Sequence, residues 1–158
     1  MSWRNIVFPI LRLYWRTFQP RTFGVKVLIL HLEDSNRILL VRHTYGDREL
    51  WNLPGGGFNP KRETALDAAS REMYEELNAY LTNPHELCTY YTEAEGKRDT
   101  VVVVHGTVTK TAFDPSGEVS EYCWMSTAEA LSDTWGVARI ARHAISSLKS
   151  HHCTSSKD

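Results

Sequence analysis

Two hydrophobic periods alternate along the chain. Phe23 to Leu32 (FGVKVLILHL), Asn36 to His43 (NRILLVRH), Glu86 to Thr92 (ELCTYYT), Thr100 to Thr109 (TVVVVHGTVT) and Glu121 to Met125 (EYCWM) are rich in β-branched, aliphatic and aromatic residues. Polar, glycine- or proline-containing stretches bound them, which predicts strands. Glu33-Asp34-Ser35-Asn36 reads as a turn, so the first two runs are expected to form a hairpin. Trp51-Asn52-Leu53 predicts a brief strand entering Pro54-Gly55-Gly56-Gly57. The period then changes. Leu66, Ala69, Met73, Leu77 and Tyr80 recur at spacings of three and four, the stripe of an amphipathic helix. Thr64 with Asp67 three residues on forms a capping box at its start, and Thr82-Asn83-Pro84 is expected to lie beyond its end. Ser126 with Glu129 repeats that spacing for a short helix through Leu131. A last helix is expected from about Val137 to Leu148, burying Ile140, Ala144, Ile145 and Leu148.

Strands and helices in this mixed order predict an α/β fold, a sheet packed between helices. A chain of 158 residues suits one domain, large enough to bury roughly two-thirds of its unfolded surface. Residues 1–150 are expected to form that domain, with 1–22 as an apolar, basic arm and 151–158 as a flexible tail. Between Met1 and Lys26 the charged residues are Arg4, Arg12, Arg16, Arg21 and Lys26, with no acidic partner. Pro9 and Arg12 interrupt any run long enough to span a bilayer. No small-residue cleavage site follows the short apolar core, so no signal peptide is expected either. The expected role of the arm is packing on the domain or on a second copy, giving a homodimer; peripheral attachment to an anionic membrane is the sharper alternative.

A formal charge of −1 offers no overall electrostatic case for nucleic-acid binding. Cys88, Cys123 and Cys153 are odd in number and widely spaced, which argues against a disulfide framework or a zinc site and fits a reducing cytoplasm.

The chemistry concentrates between Pro54 and Ala79. Three successive glycines free the backbone for positive φ and for close approach to a ligand. On the helix that follows, Glu72, Glu75 and Glu76 lie within one turn. Like charges so placed repel, and a hard divalent cation with oxygen ligands, Mg²⁺ or Mn²⁺, would remove the repulsion. A solvated acidic helix face is the plainer explanation of the same run.

The register decides between them. Gly57, five residues, Glu63, seven residues, then Arg71-Glu72-Met73-x-Glu75-Glu76 resembles the signature of the Nudix hydrolases. Two positions depart from it. Asn78 stands where the family has glycine, and Ala79 replaces a larger apolar residue. Asparagine is the next best residue at a left-handed helix cap, so the turn is expected to survive.

The resemblance implies an α/β/α sandwich around a mixed sheet, and hydrolysis of a nucleoside diphosphate linked to another group. It implies Mg²⁺, with Mn²⁺ as substitute, on Glu72, Glu75, Glu76 and the Gly57 carbonyl. Glu63 and Arg71 would orient those carboxylates. The base is expected among the box glutamates or on a later loop, where Glu118 follows Asp114-Pro115-Ser116-Gly117 and Glu121 is its rival. Arg42, Tyr45 and Arg98, at strand ends or loops, are candidates to meet phosphate or base. Tyr45, Trp51, Phe58 and Tyr91 are candidate stacking surfaces. His31, His43 and His105, within strand-like runs, read as structural.

Subfamily marks are absent. Thr92-Glu93-Ala94 stands where ADP-sugar hydrolases carry a proline, and Glu95-Gly96 where diadenosine polyphosphate hydrolases carry a tyrosine. The expected substrate is therefore a small nucleotide, a nucleoside triphosphate or diphosphate derivative. An ADP-ribose or dinucleotide pyrophosphatase, and a non-catalytic nucleotide-binding module of the same fold, are the alternatives.

Overall fold

The computed structural model describes residues 21–93 and 98–155. The arm expected over 1–22 lies outside them but for its last two residues, as do positions 94–96 of the subfamily comparison. The elements are β1 (Arg21–Ile29), β2 (Arg37–His43), α1 (Ala65–Leu77), β3 (Thr82–Thr92), β4 (Arg98–Thr107), β5 (Val119–Ser126), α2 (Thr127–Leu131) and α3 (Arg139–Ser155). One sheet has the order β1-β4-β3, with β1 parallel and β3 antiparallel to β4; β2 and β5 form a second, antiparallel sheet.

The expected hairpin of β1 with β2 does not form. The two meet at one bridge, Leu30 to Ile38, and then part. The edge of β1 that a hairpin would use is taken by the glycine segment: Val25 N–H donates to Gly56 O, Val27 N–H to Pro54 O, and Phe58 N–H to Phe23 O. A few residues earlier, Asn52 exchanges both backbone bonds with Val41 of β2, at 2.8 and 2.9 Å. Residues 52–58 thus fill the splay between the strands and satisfy backbone groups that would otherwise be buried unpaired.

Both strands bury side chains on two faces, which is why they read as unbroken apolar runs. Val25, Val27, Ile29, Leu39 and Val41 pack with Ala68, Ala69, Met73 and Leu77 of α1. Leu28, Ile38, Leu40 and Val103 pack with Ala141, Ala144, Ile145 and Leu148 of α3. The strands lie between α1 and α3, the α/β/α arrangement that the resemblance implied.

Helix α1 begins and ends as its sequence predicts. Thr64 and Asp67 form the capping box, and Asn78 closes the helix in the left-handed conformation, φ 48°. That cap turns the chain off the helix axis. Tyr80, expected on the buried stripe, is therefore 70% exposed, with its ring against that of Tyr74 on the surface. β3 starts at Thr82, earlier than expected, by absorbing Asn83 (φ 50°) and Pro84 in an irregularity of its pairing with β4. Helix α3 starts late because Val137 bridges Trp51 and Ala138 N–H donates to Trp51 O; it then runs past Leu148 to Ser155, where a tail was expected. Among the described residues no helix is long and apolar enough to cross a membrane.

Candidate active site

Each glycine of the loop serves a different contact. Gly55 has φ 125°, and a Cβ there would overlap Val25 O. Its N–H donates to Glu76 Oε2 at 2.9 Å and its carbonyl accepts from Lys26 Nζ at 2.6 Å. Gly56 lies against Glu72, so that a Cβ would fall 2.7 Å from both carboxylate oxygens. At Gly57 a Cβ would meet Phe23 O at 3.8 Å, an ordinary contact, and the Gly57 carbonyl accepts from Arg71 Nη2 at 3.3 Å.

Arg71 gathers the other charged residues. It forms a two-pronged pair with Glu63, Nε to Oε2 at 3.1 Å and Nη2 to Oε1 at 2.9 Å. Its Nη1 donates to Glu72 Oε1 at 2.7 Å and to Glu75 Oε2 at 3.1 Å. The hydrogen bond to Glu63, above all, holds the guanidinium pKa above its ordinary value, against the effect of burial. Burial pushes the Glu72 carboxyl up; Arg71 opposes that, and the charges of Glu76 and Glu75 add to it.

The three helix glutamates do not share one solvated face. Glu72 and Glu76 are 9% and 2% exposed, on the same side of α1 as Met73 and Ala69, because the glycine loop covers them; Glu75 is open to solvent. Glu76 is engaged apart from Arg71: Oε1 lies 2.9 Å from His43 Nε2, and Oε2 accepts from Gly55 N–H.

Gly57 O, Glu72 Oε1 and Glu75 Oε2 therefore already share one positive charge, the Arg71 guanidinium. The donors are all hard oxygens, and one of them is a buried carboxylate whose ionised form is penalised. That set fits Mg²⁺ or Mn²⁺. Among the described residues no three His, Cys, Asp or Glu side chains are drawn together as a metal cage, since Arg71, His43 and Gly55 engage these carboxylates.

Beside this cluster opens a cleft of about 1240 Å³, lined by the glycine loop, the first half of β1 and parts of the 43–63 segment. Tyr45 lines it, its ring 5.3 Å from that of His43. Arg42 and Arg98 do not. The Arg42 guanidinium pairs with Glu121 at 2.6 Å and lies 4.3 Å over the ring of Trp51; Arg98 is exposed at the start of β4. Trp51 is buried core, Phe58 lines the cleft edge-on to Phe23, and Tyr91 is 74% exposed outside it. The loop before β5 docks on the end of α1, Ser116 N–H donating to Glu76 O at 2.8 Å. Glu118 follows it, its carbonyl accepting from Thr44 N–H beside His43. Glu118 thus stands by Thr44 at the end of β2, two residues from the Ser116 that touches Glu76, and like Arg42 and Arg98 it is not among the residues lining the cleft.

His43 reads from the sequence as a structural histidine, with no tie to the glutamates, and Lys26 carries no mark of a site residue. A signal for both existed in strand alternation: His43 follows Leu39 and Val41 onto the α1 side, and Lys26 follows Gly24 onto the cleft side.

A Nudix domain model matches residues 22–145. The chain belongs to the Nudix family. The fold is similar to the MutT protein from Methanosarcina mazei Go1 (TM-score 0.73, 24% identity, covering 85% of this chain and 97% of that one). It is also similar to the Escherichia coli ORF135 protein (0.69, 20%, covering 89% and 96%). The Nudix domain of Shewanella oneidensis NrtR, solved with ADP ribose, is a third (0.66, 19%, covering 84% and 88%). At these identities the likeness is one of fold. No curated protein matches the chain. Family and fold together support hydrolase activity.

Proposed function

We propose that this Nudix protein is a Mg²⁺-dependent pyrophosphohydrolase that cleaves a nucleoside diphosphate linked to another group, a small nucleotide first among them. The observation that carries the reading is the convergence of Gly57 O, Glu72 and Glu75 on one cation beside the cleft. With Glu76, these groups would hold Mg²⁺, or Mn²⁺ in its place. When bound, the ion supplies charge neutralisation at phosphate oxygens and a more acidic water.

The chain's own residues do the rest. Glu63 and Arg71 orient Glu72 and Glu75. His43 and Gly55 hold Glu76 at both oxygens. Lys26, Lys61 and Arg62 line the cleft and offset the charge of a polyphosphate. Glu118 would take a proton from the water whose oxygen bonds to phosphorus, as the bridging P–O bond breaks and the other phosphate leaves with the bridging oxygen. Tyr45 offers its ring to the nucleotide.

A second reading, ADP-ribose or a dinucleotide as substrate, is favoured by the cleft itself. Its 1240 Å³ exceeds the range of about 300–1,000 Å³ usual for single small ligands. The similar Nudix domain of NrtR was solved with ADP ribose. Product release from nucleoside triphosphates, ADP-ribose, diadenosine polyphosphates and nucleotide sugars, each with Mg²⁺ and with Mn²⁺, separates the readings. Turnover of triphosphates supports the first, and a clear preference for ADP-ribose the second. Binding of nucleotide with no turnover under either metal would point to a non-catalytic module.

A further inference from the structure

The hydrogen bonds of Arg71 divide between two kinds of partner. A guanidinium carries about five N–H donors in a rigid plane. Two bonds make the fork on Glu63, from Nε at 3.1 Å and from Nη2 at 2.9 Å. The other three reach oxygens of the proposed metal set: Nη1 to Glu72 Oε1 at 2.7 Å and Glu75 Oε2 at 3.1 Å, and Nη2 to Gly57 O at 3.3 Å. Glu63 supplies no oxygen to that set. One side of the guanidinium is thus anchored outside the metal ligands, and the other side is spent on them.

The two sides differ in how firmly they hold. The fork on Glu63 is bidentate, the stronger arrangement for a carboxylate. Nη1 instead reaches one oxygen on each of two carboxylates. The Glu75 side chain is 56% exposed, so water can take over its bond. Glu72 is buried, and a carboxylate there needs a cation beside it, the more so with Glu76 one turn on. A guanidinium and a divalent ion both satisfy that need, but they repel each other. They cannot share the same oxygens at full strength.

We propose that Arg71 is a built-in counter-cation that competes with the divalent ion for Glu72, Glu75 and the Gly57 carbonyl. Arg71 keeps these oxygens gathered against the repulsion of the carboxylates, and releases them as the ion binds. The Glu63 fork then holds the guanidinium beside the site, ready to return. The inference rests on the reading of these oxygens as metal ligands. Its consequence is a metal affinity lower than the oxygens alone would give, because binding is discounted by the fraction of molecules in which Arg71 has let go. An Arg71 that only positioned the carboxylates would have the opposite effect: its removal would scatter the ligands and weaken the metal.

The test is Mn²⁺ binding without substrate, followed by electron paramagnetic resonance of the free ion, in the wild type, Arg71→Gln and Arg71→Lys. Arg71→Gln is expected to bind Mn²⁺ about fivefold more tightly or better. Arg71→Lys keeps the charge but not the fork and should fall between that variant and the wild type. In chelator, Arg71→Gln should melt below the wild type, since Glu72 has lost its partner, and saturating Mn²⁺ should narrow the gap. Arg71→Lys carries the test if circular dichroism shows Arg71→Gln unfolded. Mn²⁺ binding that is unchanged or weaker in the folded variants overturns the competition and leaves the metal site standing, with Arg71 as a positioning residue only. Failure of all these proteins to bind Mn²⁺ overturns both the competition and the metal reading.

Discussion

His43 Nε2 lies 2.9 Å from Glu76 Oε1, and both side chains are almost wholly buried, at 11% and 3% exposed. The contact ties the end of β2 to the last turn of α1. Through Gly55 N–H on the other oxygen it also ties that turn to the glycine loop. Three segments far apart in the chain are thus held by one carboxylate.

Replacements of Glu76 should separate chemistry from fold. Glu76→Gln keeps the shape and an acceptor for Gly55 N–H, so the protein should stay folded while turnover falls by about a hundredfold or more. Glu76→Ala leaves the Gly55 N–H buried without its acceptor and should cost about 2 kcal/mol in denaturant unfolding. A fully active Glu76→Gln would remove Glu76 from the site.

The three loop glycines should respond differently to alanine. Gly55→Ala places a Cβ on Val25 O at a φ hostile to side chains, and should destabilise by about 2 kcal/mol or more. Gly56→Ala meets only the end of the Glu72 side chain, so activity should fall more than melting temperature. Gly57→Ala has room and should be the mildest. Parallel melts and activity assays check the order, and equal effects at all three positions would contradict it.

Glu72 should leave a mark on stability as pH changes. Burial raises its carboxyl pKa, so the folded chain holds that proton more tightly than the unfolded one. The resulting stability is complete below the ordinary carboxylate pKa of about 4.3 and is lost as pH climbs through the raised value toward neutrality. In a buffer with chelator, Glu72→Gln should lose less thermal stability than the wild type over that climb. Superimposable profiles would show that Glu72 is not strained by its burial.

Met73 is fully buried between the glutamates' helix and the strands. Met73→Asp buries an unpaired charge there and should leave the domain unfolded, as circular dichroism would show. A soluble, folded variant would mean that the apolar face of α1 has been misassigned.

Helix α1, its caps and the spacing of its charges were legible because every determinant is local: Thr64 and Asp67, Asn78, the three-and-four stripe, the register from Gly57 to Glu76. Pairing was not. The turn signal of Glu33–Asn36 is real, yet what decides the fate of β1 and β2 is that residues 52–58 come back to occupy the edge of β1. Tyr80 fits a helical period that the Asn78 cap has already ended. The glutamates looked exposed because charge pattern reports a helix face and not what covers it; the cover is the glycine loop. The contact of His43 with Glu76 and the place of Lys26 in the cleft were hidden for a related reason. In strands buried on both sides, alternation has meaning only once it is known which side faces α1 and which the cleft.

The measurement that tests the account most directly is pyrophosphohydrolase activity on the best substrate as a function of Mg²⁺, in the wild type and in Glu75→Gln. Glu75 is the solvent-exposed member of the set, 56% exposed, so its replacement leaves packing intact. Activity is expected to rise with Mg²⁺, to vanish with chelator and to be lost in a folded Glu75→Gln protein. Hydrolysis that is indifferent to both Mg²⁺ and Glu75, or nucleotide bound without turnover at any Mg²⁺ concentration, would contradict it.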